Sequence, residues 1–237
     1  MALTQGPAYH FEPAWSPDGQ RVALSMDTEG NLDIGVVDAA GSAVERVTTH
    51  EAVDVEPEWS GDGEGLFFVS AREGGFRIFH RDLETGSTAE VVTGIQPAVS
   101  PDGNRLAYVA SVRGRTGTGG IWVKELPAGE ERLAHYEESE YRMKPAWTPD
   151  GSAILYVSEE AGTNDVRVVP PQGGNPNILT VDPQGEETSP SPSPSGSRFA
   201  FVSTRTGPMP LYTVAAGGGP FASWREVVLE ETTPRTP

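Results

Sequence analysis

Glu12-Pro13-Ala14-Trp15-Ser16-Pro17-Asp18-Gly19 decides the fold, because these eight positions recur four more times without a gap. The copies are Glu56-Pro57-Glu58-Trp59-Ser60-Gly61-Asp62-Gly63, Gln96-Pro97-Ala98-Val99-Ser100-Pro101-Asp102-Gly103 and Lys144-Pro145-Ala146-Trp147-Thr148-Pro149-Asp150-Gly151. The fifth, Ser189-Pro190-Ser191-Pro192-Ser193-Pro194-Ser195-Gly196, is degenerate. The closing glycines lie 44, 40, 48 and 45 residues apart. A period in this range is the length of one propeller blade.

The same grammar follows each copy. An apolar run comes first, such as Val22-Ala23-Leu24 or Leu66-Phe67-Phe68-Val69. A Gly-containing loop leads to a third run, such as Ile34-Gly35-Val36-Val37, and a fourth segment ends in Val47-Thr48, Val92-Thr93 or Leu179-Thr180. Four short runs joined by turns predict one four-stranded blade. No stretch holds a helical period. The 28 glycines and 21 prolines suit an all-β chain of short strands and tight turns. The expected architecture is a β-propeller of five four-stranded repeats over residues 1–229, at about 7–50, 51–94, 95–136, 137–182 and 183–229. Residues 230–237 read as a flexible polar tail.

Within the motif, Pro-Asp-Gly is turn chemistry: proline presets φ, aspartate caps amides and glycine takes positive φ. Trp15, Trp59 and Trp147 read as packing between blades. That structural reading makes the turn aspartates poor candidates for catalysis.

The repeat resembles the WD40-like TolB-type propeller repeat, Pro-x-Trp-Ser-Pro-Asp-Gly followed by an apolar strand, from Leu3 to about Leu229. The resemblance implies an envelope or exported, periplasmic protein, and propellers of this type serve many unrelated functions. A narrower likeness joins Leu3 to Pro13, Gly117 to Trp122 and Trp224-Arg225-Glu226-Val227 to propellers placed ahead of amidohydrolase domains. It implies a following hydrolase domain as one partner. The His-x-His strand motif of such domains is absent, and the four histidines, His10, His50, His80 and His135, are scattered.

Closure has two readings. Leu3-Thr4-Gln5-Gly6 suits the outer strand of a last blade, yet Trp224 to Leu229 reads as that blade's fourth strand. Either five blades close as a ring, or the chain is part of a larger propeller. Pairing of exposed edges between chains is a third outcome, and the oligomeric state stays open.

A net charge of −17 disfavours nucleic acid and anionic membrane as partners. No apolar run is long enough for membrane insertion by a helix. Met-Ala-Leu-Thr-Gln lacks a basic region followed by an apolar core, so no signal peptide is expected within this chain. The absence of cysteine removes disulfides, thiol nucleophiles and thiolate zinc sites. No Gly-x-Ser-x-Gly elbow, Walker motif or EF-hand spacing occurs. The Gly-rich stretch 114–120 reads as an extended hairpin loop.

The remaining candidate surface is the channel mouth, reached by the segment preceding each innermost strand. Its residues are Tyr9, His10, Glu12, Asp54, Glu56, Gln96, Arg142 and Lys144. They are polar and differ between repeats, which is where a repeated scaffold carries specificity. Glu12, Asp54 and Glu56 are candidate oxygen ligands for calcium, against the plainer reading of a solvated rim. The expectation is a non-catalytic module that binds a protein, peptide or small ligand. The alternative is an enzyme acting on a sugar or lactone with the mouth carboxylates, or an accessory domain of an amidohydrolase or peptidase.

Overall fold

The computed structural model describes Leu3 and residues 9–28, 30–41, 43–112, 119–137, 143–159, 163–182, 184–207, 209–220 and 223–227. It is an all-β propeller of five antiparallel four-stranded blades. Blade 1 holds β1 (His10–Trp15), β2 (Arg21–Thr28), β3 (Asn31–Asp38) and β4 (Glu45–Arg46) in that spatial order. Blade 2 holds β5 (Asp54–Trp59), β6 (Gly65–Ser70), β7 (Arg77–Asp82) and β8 (Thr88–Thr93). Blade 3 holds β9 (Ile95–Val99), β10 (Arg105–Ser111), β11 (Gly119–Glu125) and β12 (Glu131–Glu137). Blade 4 holds β13 (Ala146–Trp147), β14 (Ile154–Ser158), β15 (Asp165–Val169) and β16 (Asn177–Ile178). The chain then passes through β17 (Thr180–Val181). Blade 5 holds β18 (Glu187–Pro192), β19 (Arg198–Ser203), β20 (Leu211–Ala215) and, after β21 (Gly219–Pro220), β22 (Arg225–Glu226). β17 pairs in parallel with β21, tying the exit of blade 4 to the last blade. The fourth strand of blade 5 is therefore Arg225–Glu226; the rival segment Thr4–Gly6 lies outside the described residues, as do 113–118 and the tail.

Each Pro-Asp-Gly turn is built as the motif predicts. In blade 1 the Gly19 amide donates to the Ser16 carbonyl at 2.9 Å. Asp18 Oδ1 accepts from Ser16 Oγ at 2.6 Å and from the Gln20 amide at 3.0 Å. Gly19, Gly63, Gly103, Gly151 and Gly196 all take positive φ. The Glu-Pro pair just upstream forms a bulge. Pairing of β1 with β2 skips from Phe11 to Ala14, and that of β5 with β6 skips from Val55 to Glu58. Proline has no amide to give the ladder, so it sits at a bulge in the first strand, which is an edge of its four-stranded sheet.

The core lies between blades. Ala23, Ile34 and Val36 of blade 1 pack with Trp59, Leu66 and Phe68 of blade 2. Phe67, Val69 and Ile78 meet Leu106 and Tyr108 of blade 3. Val109 and Ile121 meet Trp147 and Tyr156 of blade 4, and Leu155 and Val166 meet Phe199 and Phe201 of blade 5. Among the described residues, every substantial packing between blades joins consecutive ones, and none joins blade 5 to blade 1. First strands touch one another (β1 with β5, β5 with β9, β9 with β13, β13 with β18), which places them innermost.

Two junctions share a further device. The guanidinium of Arg21 lies 4.5 Å above the Trp59 ring and donates to the Gly63 carbonyl at 2.9 Å. Arg105 repeats this, 4.5 Å above Trp147 and 3.2 Å from the Gly151 carbonyl. Such a stack adds cation–π attraction to the apolar contact. Trp59 and Trp147 are 3% and 6% exposed, but Trp15 is 61% exposed. The expectation of one packing role for all three tryptophans fails at Trp15, whose ring no neighbouring blade covers among the described residues.

Candidate functional site

Glu12, Glu56, Gln96, Lys144 and Ser189 occupy one repeat position, the residue before the motif proline. All five take left-handed backbone, with φ of 53°, 53°, 55°, 43° and 55°. This conformation is uncommon for residues other than glycine. In blades 1 to 4 the side chain reaches toward the following blade. Glu12 Oε2 accepts from the Glu56 amide at 3.0 Å, and Glu56 Oε2 accepts from the Gln96 amide at 2.7 Å. Gln96 Oε1 accepts from the Lys144 amide at 2.8 Å, and Lys144 Nζ donates to Ser189 Oγ at 3.2 Å. Four sequence-chosen residues thus form a chain of clasps around the inner rim. Burial pushes Glu56 upward, and the neighbouring Glu12 adds to the rise, against the Gln96 amide and Lys144.

The other candidates sit apart from this chain. Asp54 is fully buried, and Arg72 Nη2 donates to both its carboxylate oxygens at 2.9 Å. Glu12, Asp54 and Glu56 therefore face different partners, and no group of three or more metal-ligating side chains occurs among the described residues. Tyr9 is 76% exposed at the edge of blade 1. His10 lines a small cavity of about 180 Å³ with Leu3, Val22 and Val37. Arg142 lies outside the described residues.

A second rim-side group centres on Glu187, at the start of the first strand of blade 5. Glu187 is fully buried and accepts from Ser203 Oγ at 2.9 Å. Burial pushes its carboxyl up to about 7, Ser203 opposes the shift, and nearby Asp165 and Asp182 reinforce it. Arg205 pairs with Asp182. In blade 2 the equivalent arginine, Arg72, holds the equivalent acid, Asp54, directly.

At the opposite end of the first strands, a cavity of about 840 Å³ opens between blades 2 and 3. Its walls include Asp62, Phe67, His80, Asp102, Gly103 and Leu126. The sequence carried a signal for it. Three departures from the repeat fall at this one junction: Gly61 for proline, Gly65 for arginine and Val99 for tryptophan. The cavity lies where the neighbouring junctions carry the Arg–Trp stack.

A protein TolB homolog from Chlorobium luteolum is 29% identical over 158 residues, which is 65% of this chain and 35% of that protein. The chain spans about a third of the length of the curated TolB relatives it matches. Among solved structures, a putative TolB from Agrobacterium tumefaciens superposes with a TM-score of 0.76 at 22% identity, over 94% of this chain and 82% of the other. An oligogalacturonate lyase in complex with manganese superposes with a TM-score of 0.67 at 15% identity, over 91% of this chain and 64% of the other. At those identities the likeness is one of fold. The family model described as the TolB beta propeller domain, PD40, matches residues 2–95 and 88–232. Since two successive matches to that model take in all five blades, the chain belongs to the TolB β-propeller domain family.

Proposed function

We propose that the chain is a non-catalytic binding module that presents its inner rim to a protein or peptide. The observation that carries this reading is the clasp chain. It fixes five different side chains in one register around the mouth, with acids on blades 1 and 2 and a lysine on blade 4. A rigid rim of graded charge favours a partner of complementary polarity and costs little ordering on binding. Asp54 and Glu187 are buried beneath the rim, out of reach of a substrate, which supports binding over turnover. By family relationship the proposed setting is the bacterial envelope. A hydrolase domain adjoining the propeller would be oriented by the same rim.

The test is Lys144→Glu, which reverses charge at a side chain whose amine contacts the Ser189 hydroxyl. Partners captured from an envelope extract are expected to bind this variant more weakly while its unfolding midpoint stays close to the parent. Unchanged capture would remove the rim as the binding surface. The rival reading, an enzyme acting on uronate-type sugars, predicts unsaturated product from polygalacturonate with or without manganese, and no such product is expected.

A further inference from the structure

We infer that the cavity between blades 2 and 3 is a receptor for an arginine side chain of a partner peptide. The site is distinct from the rim, at the other end of the first strands.

The argument is internal to the repeat. At junctions 1–2 and 3–4 the chain fills this position with its own guanidinium. Each lies over an aromatic ring and donates to the carbonyl of the next blade's turn glycine. Arg105 also lies 3.6 Å from its own turn carboxylate, Asp102. At junction 2–3 the arginine position is Gly65 and the tryptophan position is Val99, so the chain supplies neither partner of the stack. The receiving groups remain. Gly103 lines the cavity in the place of Gly63 and Gly151, and Asp62 takes the place of Asp102. Ser60 Oγ and the Glu64 amide donate to Asp62 Oδ1 and hold its carboxyl below the usual range, so it stays charged.

The walls suit the rest of such a side chain. Phe67, Val91 and Leu126 offer apolar surface to its methylenes. His80 packs against Phe67 with ring centroids 4.8 Å apart, and its Nε2 lies 2.3 Å from where a Gly65 Cβ would sit. Glycine at 65 therefore makes room for the imidazole in place of an arginine. Burial lowers the His80 pKa, keeping that wall neutral toward a cation. Lys124, the base on the rim of the cavity, is occupied by Glu131 at 3.1 Å and the Gly129 carbonyl at 3.2 Å. A space of about 840 Å³ exceeds one side chain and admits the flanking residues of a peptide. Arginine is favoured over lysine because a planar fork reaches a carbonyl and a carboxylate together.

The experiment titrates the full chain with N-acetyl-arginine methylamide and its lysine counterpart, following amide and imidazole resonances. Saturable shifts confined to Gly61, Gly103 and His80 are expected with the arginine probe, with the lysine probe weaker by about tenfold. Ala89→Trp, which fills the cavity from its exposed edge, and Asp62→Asn, which keeps the turn acceptor without the charge, should each abolish or strongly weaken these shifts. Their unfolding midpoints report whether the blades remain intact. Equal response to both probes, shifts centred elsewhere, or binding retained by two folded variants overturns the inference.

Discussion

The indole N–H of Trp59 donates to the backbone carbonyl of Ala14, 45 residues earlier, at 3.0 Å. Trp147 makes the same bond back to Ala98 at 2.9 Å. Each such tryptophan is sealed by apolar contact, an arginine above its face and a carbonyl at its edge. Trp59→Ala is expected to cost about 3–5 kcal/mol in denaturant unfolding. Trp15→Ala removes an exposed ring from the same motif position and should cost less than about 0.5 kcal/mol. Equal losses would mean that Trp15 is covered in solution.

The clasps make a chemical distinction that unfolding can read. Gln96→Ala leaves the Lys144 amide without its acceptor and should cost about 1–3 kcal/mol. Gln96→Glu keeps an acceptor at the same reach and should retain most of that stability. Two variants with matching losses would place the cost elsewhere than in the bond to the Lys144 amide.

Gly61 occupies a position that is proline in the other four copies, so a consensus argument recommends Gly61→Pro. The structure predicts the reverse. A Cβ at 61 would stand 2.5 Å from Gly103 Cα, a backbone atom of the next blade. Gly61→Ala and Gly61→Pro are both expected to destabilise, by about 1–3 kcal/mol for overpacking alone. A rise in melting temperature for either would contradict the close approach of these two turns.

Stability should also depend on pH through Glu187. Its native carboxyl sits at about 7, above the ordinary value of 4.5. Between those values the folded chain holds a proton that the unfolded chain releases, so stability falls as pH rises through this window. The loss amounts to about 3 kcal/mol at most. Glu187→Gln should flatten that decline and be more stable than the parent above pH 7. Urea midpoints at pH 5 and pH 8 decide it, and an unchanged slope would reject the assignment.

The blades were legible because their instructions are local. Pro-Asp-Gly specifies its turn within four residues, and the short apolar runs between turns specify strands wherever they pack. The clasps were not legible, although the residues that form them were singled out as polar and variable. A residue before proline is ordinarily extended, and nothing near Glu12 in sequence announces left-handed backbone or a bond to an amide in the next repeat. Asp54 reads as a mouth carboxylate from its position alone; the arginine that pairs with it, Arg72, lies just past the end of the neighbouring strand β6, 18 residues on in sequence. Trp15 shows the same limit. Its motif is intact, but its environment depends on what precedes it in space.

The Arg–Trp stack runs in one direction, from the second strand of one blade to the first strand of the next. The array therefore has unlike ends. Blade 1 offers an indole with no arginine above it among the described residues, and blade 5 offers Arg198, at the register of Arg21 and Arg105, bonded to Thr213 Oγ1 of its own blade at 2.7 Å. A blade with a neighbour on one side only is held by half the interfacial energy of an inner one. Melting should accordingly behave like a zipper opened from its ends. Amide exchange should be fastest in β1–β4 and β18–β22 and slowest in blades 2 to 4, and uniform protection would mean that the two ends meet.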